Sequence, residues 1–169
     1  FHVHATKANH NTILGLSLTL LELDKSHEIS ILELGASKVG EIKRLCEISM
    51  PTHGLITNIA PAHLIGFGSI ETISKEKGNL FNSLKNGLSF VNLDDERIAN
   101  IKILGKSISF GSNPKSDFGL DPNEILFPRI FIFAILLSSK LTKANPFFKE
   151  LNKFPFSLDI FSIDPKPIR

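Results

Sequence analysis

Hydrophobic and polar positions alternate along the first two thirds of the chain in two different rhythms, short apolar runs and helical periodicity. Residues 1–6 predict a strand, 12–23 a helix that is apolar nearly all round, and 29–34 a buried strand. Residues 40–49 predict an amphipathic helix stopped by Pro51. Beyond it come a strand over 55–59, a long helix over 69–84, a strand over 88–92 and a further strand over 102–110. Strand–helix alternation with short links is the pattern of a parallel α/β sheet with covered faces and right-handed crossovers. Ligands of such sheets sit beyond the carboxyl ends of the strands.

Three polar clusters fall at those ends. Thr6-Lys7-Ala-Asn9-His-Asn11 follows the first strand, Glu33-Leu-Gly35-Ala-Ser37 closes the second, and Asn58 with His63 follows the third. Parallel strands bring all three to one rim. Glu33 at the end of an apolar strand either caps a turn or binds a cation. His63 is either a solvated loop histidine or a ligand. Asn9 and Asn11 make Asx turns or cap the next helix, or else hold phosphate oxygens or a metal-bound water. The loop between Gly35 and Gly40 leads into a helix N-terminus, where anions are favoured.

The long helix carries an anomaly. At about 100° per residue, Ile73, Leu80, Phe81 and Leu84 share one arc with Ile70, and Lys77 falls in its middle, whereas Lys75 points away. Burying an ammonium among leucine and isoleucine is costly, so Lys77 either snorkels, makes a buried ion pair, or is chemically functional. Ser69 is a suitable N-cap for that helix. Cys46 shares an apolar face with Ile42 and Leu45, which predicts core filler rather than a nucleophile.

Composition narrows the class. With 169 residues, 42% hydrophobic, one domain with a real core is expected. A net charge of +2, scattered along the chain, leaves no footprint for nucleic acid or an anionic membrane. A single cysteine excludes an internal disulfide and fits a reducing compartment. The longest apolar run, 130–137, is well short of the ~20 residues that span a bilayer. No signal peptide opens the chain, and cytoplasm is the expected location. The opening Phe1 suggests a start partway through a larger protein. Character changes near Asp121: residues 122–169 hold eight of the 14 phenylalanines and six of the nine prolines. The expected organisation is a partial domain over 1–120 and a divergent Phe/Pro-rich tail over 121–169, with 131–137 as a short packed element.

These clusters, in this order, resemble the central ATP-binding domain of the Mur ligases. Three motifs support the likeness between Phe1 and Asp117: Thr6-Lys-Ala-Asn9-His-Asn11-Thr-Ile-Leu-Gly15, Glu33-Leu-Gly-Ala-Ser-Lys-Val-Gly-Glu41-Ile, and Thr57-Asn-Ile-Ala-Pro-Ala-His63-Leu through Phe67-Gly-Ser69-Ile-Glu71 to Lys77-Gly78. Within the family, the Ala-His-Leu-x-x-Phe-Gly-Ser spacing is similar to members that add D-alanyl-D-alanine to UDP-N-acetylmuramoyl-tripeptide in peptidoglycan synthesis. The resemblance implies a Rossmann-like fold, a mostly parallel sheet with helices on both faces, and ATP and Mg2+ as cofactors. It implies that Glu33 and His63 hold magnesium and that Lys77 is carried as a carbamate able to bind a second ion. Lys7, Asn9, Asn11 and Asn58 would line the nucleotide side. The family's reaction phosphorylates a peptide carboxylate, and an amine then attacks the acyl phosphate. Other ligases of the superfamily, acting on another nucleotide-linked peptide or on folate, and a non-catalytic relative, share much of this pattern.

The departures are specific. No Gly-x-x-Gly-Lys-Thr phosphate loop occurs in the chain, although the family carries one just upstream of the segment matching Phe1. Thr12 stands where the family has a second asparagine, Lys38 where it has histidine or arginine, Ile65 and Asn79 where it has glutamates. The chain alone is therefore expected to be catalytically incomplete.

Overall fold

The computed structural model describes residues 1–84 and 86–119; the expected tail and the packed element at 131–137 lie outside them. Six strands and five helices occur among the described residues: β1 (Val3–Ala5), α1 (Ile13–Leu21), β2 (Ile29–Ile31), α2 (Glu41–Ser49), β3 (Gly54–Ile56), α3 (Leu64–Phe67), α4 (Ile70–Ser83), β4 (Leu88–Asn92), α5 (Glu96–Ala99), β5 (Lys106–Gly111) and β6 (Phe118–Gly119). Every element expected between residues 1 and 110 is present. The three short additions α3, α5 and β6 escape periodicity because each holds about one turn or less.

All strand pairs are parallel, as expected, but the ladder is divided. β1 pairs with β2, and β3-β4-β5-β6 form a second sheet. One apolar layer spans the division: Ala36 and Leu80 pack both on the Leu16–Ile42–Leu45–Cys46 cluster and on the cluster of Ile56, Ile59, Phe67, Ile73, Phe81, Val91 and Ile98. Helices α1, α2 and α4 pack side by side. On the opposite side of β4, Phe90 and Phe110 are buried among Leu55, Leu88, Ile108 and Phe118, all strand residues. β4 is apolar toward both sides because a central parallel strand has no wet face.

Local chemistry sets the ends of the elements. Thr12 caps α1, its Oγ1 accepting from Gly15 N–H at 3.4 Å, and Ser69 caps α4, accepting from Thr72 N–H at 3.2 Å. Met50 turns left-handed at the end of α2 just before Pro51, which cannot continue a helix. The expected strand 29–34 stops at Ile31. There the backbone leaves the ladder, and Glu33 N–H donates instead to Thr6 Oγ1 at 2.9 Å. Strand 102–110 begins only at Lys106. Among the described residues no helix is long and apolar enough to cross a membrane.

Candidate functional site

Hydrogen bonds and close backbone packing join the three rim clusters in sequence. Asn11 Nδ2 donates to Glu33 Oε1 at 2.9 Å, and Gly35 N–H donates to the Asn11 carbonyl at 2.8 Å. A Cβ at Gly35 would lie 2.7 Å from Asn11 Cγ, so a larger residue there would displace the Asn11 side chain from this position. The amide thus orients one carboxylate oxygen of Glu33. The Glu33 side chain is exposed, two residues beyond β2.

The second cluster meets the third at Gly66, where a Cβ would fall 2.0 Å from the Ser37 carbonyl oxygen. Turn α3 therefore leans on the loop that follows Glu33. Phe67 anchors this turn in the core, and His63 stands at its head in a left-handed conformation, φ 52°. Such a backbone costs a non-glycine residue about 1–2 kcal/mol. The His63 carbonyl accepts from Gly66 and Phe67 N–H at 2.9 and 3.1 Å, while its exposed ring has no partner among the described residues.

Lys77 is half-buried, as its place in the apolar arc predicts, and its Nζ donates to the Asn58 carbonyl at 3.0 Å. Asn58 therefore contributes its backbone oxygen. Burial pushes the Lys77 amine below the ordinary lysine range, and the negative charge of Asp95 pulls the other way. Asp95 is a residue that periodicity did not single out. Its Oδ2 accepts from Ile59 N–H at 2.7 Å, and its Oδ1 accepts from Arg97 and Ile98 N–H, capping α5. An aspartate before a short helix is the cap signal that would have found it.

The remaining candidates are spread out. Lys7 Nζ is paired with Glu22 at 2.6 Å on the surface. Asn9 is exposed in a turn without a side-chain partner among the described residues. His2 and His4, which suggested no role, pack with His27, the rings of His2 and His27 stacked at 4.5 Å. Cys46 is buried, and burial pushes its thiol up, as expected of core filler.

The expectation that the Gly35–Gly40 loop offers amides to an anionic ligand is corrected. The chain's own carboxylates fill it. Glu41 Oε2 accepts from Ser37 and Lys38 N–H at 2.7 and 3.0 Å, and Glu76 accepts from Gly40 and Ile42 N–H at 2.9 and 2.8 Å. Glu76 is buried and was missed, because it sits just outside the apolar arc of α4.

Among the described residues no three His, Cys, Asp or Glu side chains are gathered so as to hold a metal ion by themselves. A metal at this rim needs a ligand of another kind. The groups present supply that chemistry: the Asn11 amide orients the exposed Glu33 carboxylate, the His63 ring has no partner among the described residues, and burial pushes the Lys77 amine below the ordinary lysine range.

A parallel α/β domain with amide, carboxylate, imidazole and lysine groups at its strand-end rim is the class that this geometry defines. Residues 1–125 match the family described as Mur ligase middle domain, and the chain belongs to that family. Among its relatives, the UDP-N-acetylmuramoyl-tripeptide--D-alanyl-D-alanine ligase of Haemophilus influenzae is 39% identical over 94 residues, 55% of this chain and 21% of that protein. The enzyme of that name from Buchnera aphidicola subsp. Acyrthosiphon pisum is 40% identical over 117 residues, 68% of this chain and 26% of that protein. A crystal structure of MurF from Acinetobacter baumannii superposes with a TM-score of 0.62 at 33% identity, covering 66% of this chain and 25% of that one. MurF from Thermotoga maritima in complex with ADP superposes at 0.58 and 32% identity, covering 66% and 27%. The chain thus spans about a quarter of the length of the relatives it matches.

Proposed function

We propose that this chain is the magnesium-binding part of an ATP-dependent ligase that adds D-alanyl-D-alanine to UDP-N-acetylmuramoyl-tripeptide through an acyl phosphate, in peptidoglycan synthesis. Lys77 carries this reading. An amine held toward neutrality by burial is a nucleophile for carbon dioxide. The ammonium first gives one proton to solvent, the neutral nitrogen then bonds the carbon and loses a second, and the former cation becomes an anionic carbamate with two oxygens.

Glu33, His63 and the Lys77 carbamate would then form an oxygen-rich set suited to magnesium, with Asn11 orienting Glu33. Bound there, magnesium would neutralise charge on a transferring phosphoryl group and orient the acceptor carboxylate. Asn9, Lys7 and Asn58 would border the nucleotide. The names of the relatives support this acceptor over other ligases of the superfamily.

A chimaera tests the reading: residues 1–119 replace the matching segment of the Haemophilus influenzae enzyme. Phosphate release that depends on both ATP and D-alanyl-D-alanine is expected, falling at least about 100-fold in Glu33→Ala, His63→Ala or Lys77→Ala versions. A folded chimaera without turnover, or one indifferent to those substitutions, contradicts it. The 169-residue chain by itself is expected to show no turnover.

A further inference from the structure

Glu76 is 2% exposed, the most buried carboxylate among the described residues. A buried charge survives only when its lone pairs are engaged. Gly40 N–H donates to Oε2 at 2.9 Å, Ile42 N–H to Oε1 at 2.8 Å and Asn79 Nδ2 to Oε2 at 3.2 Å. Two of these donors belong to the start of α2, whose N-cap residue Gly40 has no side chain to offer. Helix α4 therefore caps α2 from outside, and the negative charge sits at the positive end of the α2 dipole.

This cap also reaches the site. Gly40 ends the loop that begins at Gly35, beside the Asn11–Glu33 pair, and Ser37 of that loop is the surface on which Gly66 and the His63 turn rest. The next residue of α4 after Glu76 is Lys77. We propose that Glu76 is a positioning residue, which locks the Glu33 loop and the His63 turn in register with the helix that carries Lys77. The inference rests on the reading that Glu33, His63 and Lys77 share a metal site.

Two variants of the full chain test it, Glu76→Gln and Glu76→Ala/Asn79→Glu. The second moves the carboxylate one turn along α4, where Asn79 already lies 3.2 Å from the Glu76 oxygen. Amide hydrogen exchange and Mn2+ titration in bicarbonate are read on each, with thermal unfolding to verify folding. In Glu76→Gln, protection is expected to fall at Gly40 and Ile42 and also across residues 33–38 and 58–63, with Mn2+ bound about ten-fold more weakly. The double variant is expected to restore both.

Exchange losses confined to the first turn of α2 would overturn the inference and leave Glu76 a local cap. A folded double variant that recovers α2 protection but still binds Mn2+ about ten-fold more weakly would overturn it too. If the unmodified chain takes up no Mn2+, the metal-site reading fails, and the exchange pattern alone decides the coupling by Glu76.

Discussion

Helix α4 turns two adjacent charged residues toward different neighbours, and the two regions treat them differently. At the α2–α4 seam, Glu76 meets three donors and is fully engaged. At the rim beside Asn58, Lys77 meets one carbonyl, with Asp95 as its electrostatic counterweight. A charge with saturated bonds is structural cement. The amine at the rim is desolvated with a single neutral hydrogen-bond partner, the setting that the proposed carbamate chemistry requires.

The largest test of that contrast is stability. Glu76→Ala orphans the Gly40 and Ile42 amides and is expected to cost about 2–3 kcal/mol in urea unfolding. Lys77→Met, which removes a desolvated ammonium while keeping its apolar stem, is expected to change stability by less than about 1 kcal/mol. Equal losses would dissolve the distinction.

Next in size is the contact between the Glu33 loop and the His63 turn. Gly66→Ala forces a Cβ into the Ser37 carbonyl and is expected to cost about 1–3 kcal/mol, with faster exchange over residues 35–40 and 63–67. An unchanged midpoint would mean that the turn is free to lift away. Asn11→Ala removes only an exposed hydrogen bond and is expected to cost about 0.5–1.5 kcal/mol, read in the same unfolding assay.

The smallest effect is acid sensitivity of the loop. Ser37 N–H holds the Glu41 carboxyl below its ordinary range, helped by Lys38 N–H. Because the folded value lies below the unfolded one, this stabilisation is complete above the ordinary glutamate range and is lost as pH falls through the folded value. Glu41→Gln is expected to flatten the acid limb of a stability–pH curve slightly. A steeper limb would assign the acid loss elsewhere.

The long elements and the rim were legible in the sequence because both follow from period and order. Lys77 could be placed in the apolar arc by spacing alone, and Asn11 and Glu33 by parallel strand ends. Glu76 could not, since its burial comes from α2 packing against the flank of α4, a tertiary contact that a single-helix pattern does not encode. The split between β2 and β3 was equally hidden, because an apolar run reports a buried strand without naming its neighbour. The glycine-bounded loop invited an anion in the sequence, and the fold answered with Glu41 and Glu76.

The central claim, that Lys77 becomes an anionic ligand shared with Glu33 and His63, is tested most directly by NMR of the chain in 13C-bicarbonate. Carbon dioxide adds only to the unprotonated amine, and burial pushes Lys77 below the ordinary lysine range, so the signal should grow as pH rises. The account predicts one carbamate resonance that persists in Lys75→Met, disappears in Lys77→Met, and is broadened by Mn2+ only while Glu33 and His63 are intact. A chain with no carbamate resonance at Lys77, or with one that Mn2+ leaves sharp, would contradict it.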